Sequence, residues 1–250
     1  MMDDLRLDGR LAVVTGGAGA IGAAICADLA ALGARVIVAD LDHAGAVTVA
    51  RRLSRAGAEV VPMLLDLADP ASVEDFCSAA GPVDIVVHNA GVSIVEPFLS
   101  GDPAGWELMW QVNLRGPMLL TRSLLAGMCA RSWGRLIFVS SDGARAGSGG
   151  EAAYAATKAG LFGLAKTLAR EAARHDVTSN VVCPGPTDTP MLRKIGDAEP
   201  GLVDKLAKGI PLRRLGTPKD VAGLVAYLCT ERAAYVTGQT LSVSGGITMQ

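Results

Sequence analysis

Seven short, almost continuously apolar runs, separated by segments with helical periodicity, constrain the fold of this chain more than any other feature. Runs of this kind are typical of parallel strands covered by helices on both faces. They are LAVVT (11–15), RVIVA (35–39), EVVPMLL (59–65), VDIVV (83–87), RLIFVS (135–140), SNVVC (179–183) and TLSV (240–243). Between them Asp69, Asp102 and Thr217 each precede a proline, as at capped helix starts. The pattern predicts an α/β fold: one doubly wound Rossmann domain over residues 1–250, with a seven-stranded parallel sheet and helices on both faces.

The charge and composition argue against several kinds of partner. The formal net charge of −2 gives no reason to expect nucleic acid or an anionic membrane. The N-terminal stretch MMDDLRLDGR lacks the apolar region of a signal peptide, and no apolar run approaches the roughly 20 residues that span a bilayer. The five cysteines show no metal or redox spacing, so we predict no metal site. We expect a cytoplasmic protein that acts on a small molecule.

The first predicted strand leads into a glycine-rich turn, TGGAGAIG (15–22). Small residues at Gly16, Ala20 and Gly22 would let a pyrophosphate approach the backbone at the start of the next helix. The second strand ends at Asp40, whose carboxylate can accept hydrogen bonds from both ribose hydroxyls of adenosine and would repel a 2′-phosphate. We therefore predict a dinucleotide site that prefers NAD to NADP. The alternative is that Asp40 is an ordinary turn residue at the end of a strand.

Tyr154 and Lys158 lie four residues apart near the start of a predicted helix, so their side chains share one helical face. A free tyrosine has a pKa of about 10 and is a poor base near neutral pH. An ammonium group one turn away, together with an oxidised nicotinamide ring, would favour the phenolate and lower the pKa of Tyr154. The pair predicts a site in which tyrosine takes the proton of an alcohol during oxidation and returns it in the reverse reaction.

These motifs together resemble those of the short-chain dehydrogenase/reductase family over nearly the whole chain. The matching residues are Thr15-Gly16-x-x-x-Ala20-x-Gly22, Asn89-Ala90-Gly91, Asn113, Ser141, Tyr154-x-x-x-Lys158, and Pro184-Gly185 followed by Thr189. The resemblance implies an NAD-dependent oxidoreductase that interconverts a secondary alcohol and its ketone by hydride transfer, with Tyr154 as acid and base. His88 departs from the family, which often has a second asparagine there, and we predict only a buried or capping role for it.

The resemblance also implies a role for each matching residue. Ser141 would bind the reacting oxygen, Lys158 would hold the nicotinamide ribose, and Asn113 would hold a water that relays protons. Asp66 would cap the adenine ring, unless it is a simple turn residue. The predicted catalytic residues are Asn113, Ser141, Tyr154 and Lys158. The predicted cofactor contacts are Gly16, Ala20, Ile21, Gly22, Asp40, Leu41, Asp66, Leu67, Asn89, Ala90, Gly91, Tyr154, Lys158, Pro184, Gly185, Thr187 and Thr189.

The substrate stays open between alternatives at this point. The stretches VVCPGPTDTPML (181–192) and TGQTLSVSGGITM (237–249) are similar to 2-hydroxycyclohexanecarboxyl-CoA dehydrogenases and related oxidisers of cyclic alcohols. They favour a cyclic secondary alcohol, with or without a CoA group. A 3-oxoacyl-ACP reductase is the alternative, and Asp40 argues against it because biosynthetic reduction usually draws on NADPH. A non-catalytic NAD-binding sensor is disfavoured, since the serine, tyrosine and lysine are all present.

The segment 187–212 is long, irregular and rich in proline, glycine and charge, and we predict that it is a substrate lid. It begins near Thr189, which by resemblance contacts the carboxamide of the cofactor. Four basic residues on the segment would either meet CoA phosphates or form a solvated face, and the second reading is preferred. They are Arg193, Lys194, Lys205 and Lys208.

The family commonly forms tetramers, so the resemblance predicts a homotetramer. Its contacts would come from the C-terminal strand region and from helices predicted at 103–131 and 154–174, whose apolar faces are broad enough for both the sheet and a partner. Those apolar residues are Leu108, Met109, Val112, Met118, Leu119, Leu161, Phe162, Leu164 and Leu168. Packing against the chain's own core would equally explain them.

Overall fold

The strands of the computed structural model, which describes residues 3–190, 192–193 and 201–249, all belong to one sheet. They are β1 (Leu11–Thr15), β2 (Arg35–Asp40), β3 (Val60–Leu64), β4 (Ile85–His88), β5 (Gly134–Val139), β6 (Val177–Pro184) and β7 (Thr240–Val243). Their spatial order is β3-β2-β1-β4-β5-β6-β7, and each neighbouring pair is parallel. The predicted seven-stranded parallel sheet is confirmed, and every predicted strand end lies within two residues of the observed one.

Helices connect the strands and cover both faces of the sheet. They are α1 (Ala20–Ala31), α2 (His43–Ser54), α3 (Pro70–Ala80), α4 (Pro103–Trp110), α5 (Gly116–Ala130), α6 (Gly143–Ala146), α7 (Ala152–Ala172), α8 (Leu202–Gly209) and α9 (Pro218–Leu228). The three predicted caps are confirmed, because the side chains of Asp69, Asp102 and Thr217 each accept a backbone N–H in the first turn. None of the helices in the described ranges is long and apolar enough to cross a membrane.

The hydrophobic core consists of two layers, one on each side of the sheet. In β1, Val14 packs into the layer that contains α1 and α9, while its neighbour Val13 packs into the layer that contains α3, α5 and α7. Both side chains are fully buried. Successive residues of a strand point to opposite faces, so a strand covered on both sides must be apolar at every position. This requirement explains why the seven strands were visible as continuous apolar runs.

The helix predicted over 103–131 is interrupted at its middle. Residues Gln111–Arg115 form a π-helical turn between α4 and α5, where the Gly116 N–H donates to the carbonyl of Gln111. Such turns insert one residue into a helix and are frequent at functional sites. The inserted turn carries Asn113, which is completely buried. Nothing in the apolar periodicity of the segment predicted the interruption.

The apolar faces proposed for subunit contact divide between core and surface. Met109 and Leu161 are buried in the chain's own core, so these two residues serve the sheet side of the predicted faces. Leu119, Phe162, Leu164 and Leu168 are partly buried against the same core layer. Leu108 and Met118 are 41% and 43% exposed, and the unpredicted Trp110 is also 41% exposed. Three large apolar side chains on α4 and α5 therefore lie at the surface of the protomer.

The second half of the segment 187–212 is helical, which corrects the prediction of an irregular segment. Helix α8 begins after Gly201, whose φ of +87° lies in the left-handed region that favours glycine. Val203, Leu206 and Ile210 are spaced as on one helical face, and Ile210 is buried. This short periodicity was hidden by the surrounding prolines and glycines. Lys194, Gly196 and Pro200, which belonged to the predicted lid, lie outside the described residues.

Candidate active site

The predicted site residues meet at the carboxyl edge of the sheet, where β1 neighbours both β2 and β4. The chain leaves these two strands in opposite directions, which opens a crevice of the kind that binds ligands in such sheets. The Asn89 amide donates to the carbonyls of Thr15 and Gly16 at 3.0 and 3.1 Å. The backbone N–H groups of Asn89 and Ala90 both donate to the Thr15 hydroxyl at 3.1 Å. The segment after β4 is thereby fixed to the glycine turn after β1.

The glycine turn is packed too tightly for side chains. Gly16 has a φ of +64°, and a Cβ on Gly22 would lie 2.1 Å from the Gly16 carbonyl oxygen. Helix α1 begins beside this turn after Gly19, which has no side chain to cap the helix. The N–H groups at its start, at Ala20 and Ile21, are therefore available to an anion. A pyrophosphate fits this turn, because it needs a close backbone approach and N–H donors.

Asp40 lies beside the glycine turn and is held there by the backbone. One carboxylate oxygen accepts the Ala18 N–H and the other accepts the Asp42 N–H, each at 2.9 Å. A carboxylate offers about four acceptor positions, so two remain for other donors. The neighbouring Leu41 is 65% exposed. These residues fit the ribose end of an adenine dinucleotide. Together with the glycine turn they form a surface that fits the adenosine and pyrophosphate parts of the cofactor.

Asp66 lies after β3, and its carboxylate is directed to its own turn. It accepts the Ala68 N–H at 2.8 Å, while the Asp66 N–H donates to the Ser72 hydroxyl at 3.0 Å. Leu67 is buried, so only its backbone is suited to a cofactor contact. The contacts match those of a turn residue, and a contact from Asp66 to adenine stays a prediction.

Lys158 is buried and connects helix α7 to two strand ends. Its ammonium group donates to the Val139 carbonyl at 2.9 Å and to the Ala90 carbonyl at 3.4 Å. Its Nζ lies 6.0 Å from the centre of the Tyr154 ring. Burial lowers the pKa of Lys158 to about 8. One of its three N–H groups is left for a further partner.

Tyr154 and Ser141 form the centre of the site. Burial and, to a smaller extent, the Glu151 carboxylate raise the pKa of Tyr154 to about 12, although the Ser141 side chain acts in the opposite direction. The Ser141 hydroxyl also accepts the Gly143 N–H at 3.1 Å. The predicted lowering of the tyrosine pKa is absent in the protein alone, because burial penalises the phenolate more than its neighbours stabilise it.

Asn113 uses nearly all of its hydrogen-bonding capacity within the protein. Its oxygen accepts the Val92 N–H at 2.8 Å, and its NH₂ group donates to the Val92 carbonyl at 2.9 Å and to the Thr157 hydroxyl at 3.2 Å. The side chain therefore fixes the segment after β4 to helix α7. A water relay at Asn113 stays a prediction, with one acceptor position of the side chain left for it.

His88 is buried at the end of β4, as predicted. Its ring stacks on Phe138 with centroids 4.6 Å apart, and its Nε2 shares a hydrogen bond of 2.8 Å with the Thr121 hydroxyl. Burial lowers the pKa of His88 to about 3, so it is neutral near pH 7. A neutral, stacked histidine packs the sheet and needs no catalytic role.

The turn after β6 brings Pro184 and Gly185 to the same edge of the sheet. A Cβ on Gly185 would lie 2.9 Å from the Ser244 backbone, so this close approach requires glycine. The Thr187 hydroxyl donates to the Gly185 carbonyl at 2.9 Å, and the residue is buried. The Thr189 hydroxyl accepts the Leu192 N–H at 3.3 Å. Both threonine hydroxyls thus have backbone partners in the turn, and their cofactor contacts stay predictions.

Three of the four basic residues predicted on the lid, Arg193, Lys205 and Lys208, lie among the described residues. Arg193 forms an exposed ion pair with Asp188 at 2.7 Å. Lys208 lies exposed at the end of α8. The exposure of these basic side chains agrees with the preferred interpretation, in which they form a solvated face of the segment. Within the described ranges, no group of histidine, cysteine and acidic side chains is arranged to hold a metal ion.

Sequence reasoning missed several residues that build the site. Thr15 was named in the motif but given no role, and it accepts the N–H groups that fix the segment after β4. Thr157, which bonds Asn113, and Glu151, which acts on the catalytic tyrosine, were not named. Threonine is common at strand ends and in helices, so its identity gave no signal. Glu151 lies three residues before Tyr154, at the N-cap position of α7, and this nearness in sequence could have indicated it.

Comparison with known proteins extends these observations. A family model described as Enoyl-(Acyl carrier protein) reductase matches residues 16–248. The 3-oxoacyl-[acyl-carrier-protein] reductase of Escherichia coli (strain K12) is 37% identical over 249 residues, which cover 98% of this chain and 100% of that protein. The 2,3-dihydroxy-2,3-dihydro-p-cumate dehydrogenase of Pseudomonas putida is 39% identical over 250 residues, which cover 98% and 96%.

The fold is also similar to that of solved structures. The gluconate 5-dehydrogenase from Burkholderia cenocepacia J2315, in complex with NADP and tartrate, superposes with a TM-score of 0.91 at 31% identity and covers 98% of both chains. These similarities support the resemblance stated above at the level of the family. They do not single out the 2-hydroxycyclohexanecarboxyl-CoA dehydrogenases, so the narrower resemblance is unsupported.

Proposed function

Because the chain belongs to the short-chain dehydrogenase/reductase family of oxidoreductases, we propose that it interconverts a secondary alcohol and a ketone at Ser141, Tyr154 and Lys158. The observation that carries the proposal is the placement of Ser141 and Tyr154 together beside a buried lysine, at the crevice between β1 and β4. A nicotinamide dinucleotide, when bound, accepts or supplies the hydride. The side chains of this chain manage the proton.

Each of the three side chains has a distinct task in this reaction. In ketone reduction Tyr154 donates its phenolic proton to the carbonyl oxygen, and in alcohol oxidation it takes that proton back. Ser141 donates a hydrogen bond to the same oxygen and stabilises the charge that develops on it. Lys158, fixed by the Val139 and Ala90 carbonyls, directs its remaining N–H towards the cofactor side.

A 3-oxoacyl thioester is the first candidate substrate, with the ketone reduced to the alcohol. The support comes from the relatives, which include 3-oxoacyl-[acyl-carrier-protein] reductase and an acetoacetyl-CoA reductase of Acinetobacter sp. that is 34% identical. This reading replaces a cyclic CoA-linked alcohol as the first candidate.

Oxidation of a cyclic secondary alcohol is the second candidate, and Asp40 favours it. Its carboxylate, held beside the glycine turn, would repel a 2′-phosphate, and NAD suits oxidation. The relative from Pseudomonas putida is named for a dihydroxylated ring compound. We propose NAD as the cofactor on the same ground, although a structural neighbour was solved with NADP.

We propose that the protein is located in the cytoplasm. All five cysteines are free thiols, which agrees with a reducing compartment. Their placement in the described core needs no disulfide partner.

The experiment is an absorbance assay with acetoacetyl-CoA and with a series of cyclic and linear ketones and alcohols, each tested with NAD(H) and NADP(H). Tyr154→Phe removes one hydroxyl, so we expect turnover to fall at least about a hundredfold while thermal unfolding stays unchanged. Tyr235→Phe is the control, because Tyr235 is fully exposed and lies in no part of the site. Near-normal turnover of the Tyr154 variant would refute the proposed function.

A further inference from the structure

Glu151 is the residue before the first turn of α7, and its side chain does not cap the helix. Its side chain accepts no N–H from the helix, whereas Asp69, Asp102 and Thr217 all cap the helices that they precede. Among the ion pairs of the described residues, none includes Glu151. A charged side chain at this position, without a cap bond or a cationic partner, needs another explanation.

The position of the carboxylate supplies that explanation. One oxygen accepts a hydrogen bond from the Ser93 hydroxyl at 3.4 Å. The other lies 3.4 Å from the point where a Cβ on Gly143 would be, and the Ser141 hydroxyl lies 3.4 Å from that same point. Glu151 is the N-cap residue of α7, and Tyr154 lies in the first turn of that helix. The carboxylate therefore borders the same small space at Gly143 as the Ser141 hydroxyl, next to the turn that carries Tyr154.

We propose that Glu151 is a positioning residue for proton transfer, whose negative charge keeps Tyr154 in its proton-donating form up to a higher pH. The proposal rests on the proposed function, because it concerns the proton that Tyr154 transfers. A second negative charge beside a carboxylate is unfavourable, so the phenolate forms less readily.

The other groups near Tyr154 leave its pKa raised. Lys158, on the same helix, opposes the carboxylate: its ammonium group lies 6.0 Å from the centre of the tyrosine ring and donates to the Val139 and Ala90 carbonyls. From β6, Cys183 faces the ring as a neutral thiol, since burial raises its pKa to about 11. From the end of β5, Ser141 carries no charge. Glu151 is thus the carboxylate that acts on Tyr154. It raises the pKa of the tyrosine, and only burial raises that pKa more.

The test compares three variants by the pH dependence of kcat/KM in both directions. Glu151→Gln keeps the shape and removes the charge, Glu151→Asp keeps the charge, and Glu171→Gln makes the same change on the exposed far end of α7. In Glu151→Gln we expect the rising limb of the oxidation profile and the falling limb of the reduction profile both to move down by about 0.5 to 1 pH unit. Oxidation then begins at lower pH and reduction is lost at lower pH, whereas Glu151→Asp and Glu171→Gln keep the profile of the unmodified protein.

A titration without substrate or cofactor gives an independent result. The chain has three tyrosines. The phenolate absorbance of Tyr154 is therefore taken as the difference between each protein and a matched protein that also carries Tyr154→Phe. We expect its midpoint to be lower in Glu151→Gln than in the unmodified protein. An unchanged midpoint in folded protein overturns the inference, and so does an unshifted pH profile. Absence of any alcohol or ketone activity in the unmodified protein would instead refute the proposed function, and the absorbance titration would still decide the role of Glu151.

Discussion

At the scale of single residues, Asp40 combines two tasks that substitution can separate. Its oxygens hold the Ala18 and Asp42 N–H groups, and its charge faces the place expected for the adenosine ribose. Asp40→Asn removes the charge and keeps the shape and one acceptor. We expect the ratio of kcat/KM for NAD over NADP to fall at least about tenfold, equivalent to roughly 1.4 kcal/mol.

The matched control for this prediction is Asp42→Asn, the same change two residues later. Asparagine caps helices as well as aspartate does, so the bond from the Gly45 N–H to residue 42 is retained. We expect the control to leave the cofactor ratio unchanged. If the unmodified protein used NAD and NADP equally well, the proposed role of Asp40 would be wrong.

His88 makes the stability of the protein depend on pH. Its pKa is about 3 in the folded protein and about 6.5 when exposed, so below pH 6.5 the unfolded chain binds a proton that the folded protein excludes. Stability from this residue is therefore complete above pH 6.5 and is lost as the pH falls towards 3. Between pH 7 and pH 5 we expect a loss of about 2 kcal/mol in urea unfolding, at about 1.4 kcal/mol per pH unit.

His88→Gln tests this expectation, because glutamine does not titrate. The variant is expected to lose packing at every pH but to show a smaller decrease in unfolding free energy between pH 7 and pH 5. His43→Gln, at an exposed position, serves as the control and should keep the slope of the unmodified protein. An equal slope in His88→Gln would show that other groups cause the acid sensitivity.

At the scale of helices and strands, what the sequence predicts depends on whether the signal is local. A buried parallel strand must be apolar at every position, and an N-terminal cap needs one polar residue beside a proline, so both were predicted correctly. The π-helical turn at Gln111–Arg115 depends on contacts of Asn113 with Val92 and Thr157. Those partners lie 21 and 44 residues away in the sequence, so a local pattern cannot show these contacts.

The same distinction applies to the site. The residue types and spacings indicated Ser141, Tyr154, Lys158 and the glycine turn, because each must be that residue for its chemistry. The bond between Asn89 and Thr15 joins residues 74 positions apart, so it became visible only in the folded chain. The raised pKa of Tyr154 was likewise not predictable from Lys158, since burial outweighs the lysine.

Helix α8 supports a specific prediction for the proposed lid. Ile210 follows the helix and is buried, and the Leu212 N–H donates to the Gly245 carbonyl at 3.1 Å. The end of the helix is thus anchored to the C-terminal segment, and movement would have to come from its other side. We expect tryptic cleavage at Lys205 and Lys208 to be slowed by cofactor together with substrate.

Cleavage at Arg55, in the exposed turn after α2, is the internal control and is expected to be unaffected. If cofactor and substrate slowed all three cleavages equally, the protection would be global stabilisation and not closure of a lid. Unchanged cleavage at Lys205 and Lys208 would leave the lid proposal without support.

At the scale of the whole molecule, the exposed apolar side chains of α4 and α5 predict assembly. Leu108, Trp110 and Met118 are each between 41% and 43% exposed, and covering them would stabilise an oligomer. We propose a homotetramer of the 25.6 kDa chain. Sedimentation at micromolar concentration is expected to give the mass of four chains.

Met118→Glu places a charge on this surface and is expected to reduce the mass, whereas Leu99→Glu, at a fully exposed position outside the surface, is expected to retain it. A monomer in the unmodified protein would refute the tetramer. A tetramer that survives Met118→Glu would show that another surface, such as the C-terminal strand region, holds it together.

The position of β1 in the sheet has a consequence for how the chain reaches its native state. Strands β1, β2 and β3 are adjacent both in sequence and in space, so they can pair early, each through a single helical connection. The other edge of β1 waits for β4, whose partners on β1 lie about 73 residues earlier in the chain. During synthesis that edge is unpaired until β4 has emerged from the ribosome, and an unpaired edge is where chains aggregate. The yield of folded protein is therefore expected to depend on translation speed through the β2 to β4 region more than on the stability of the finished fold.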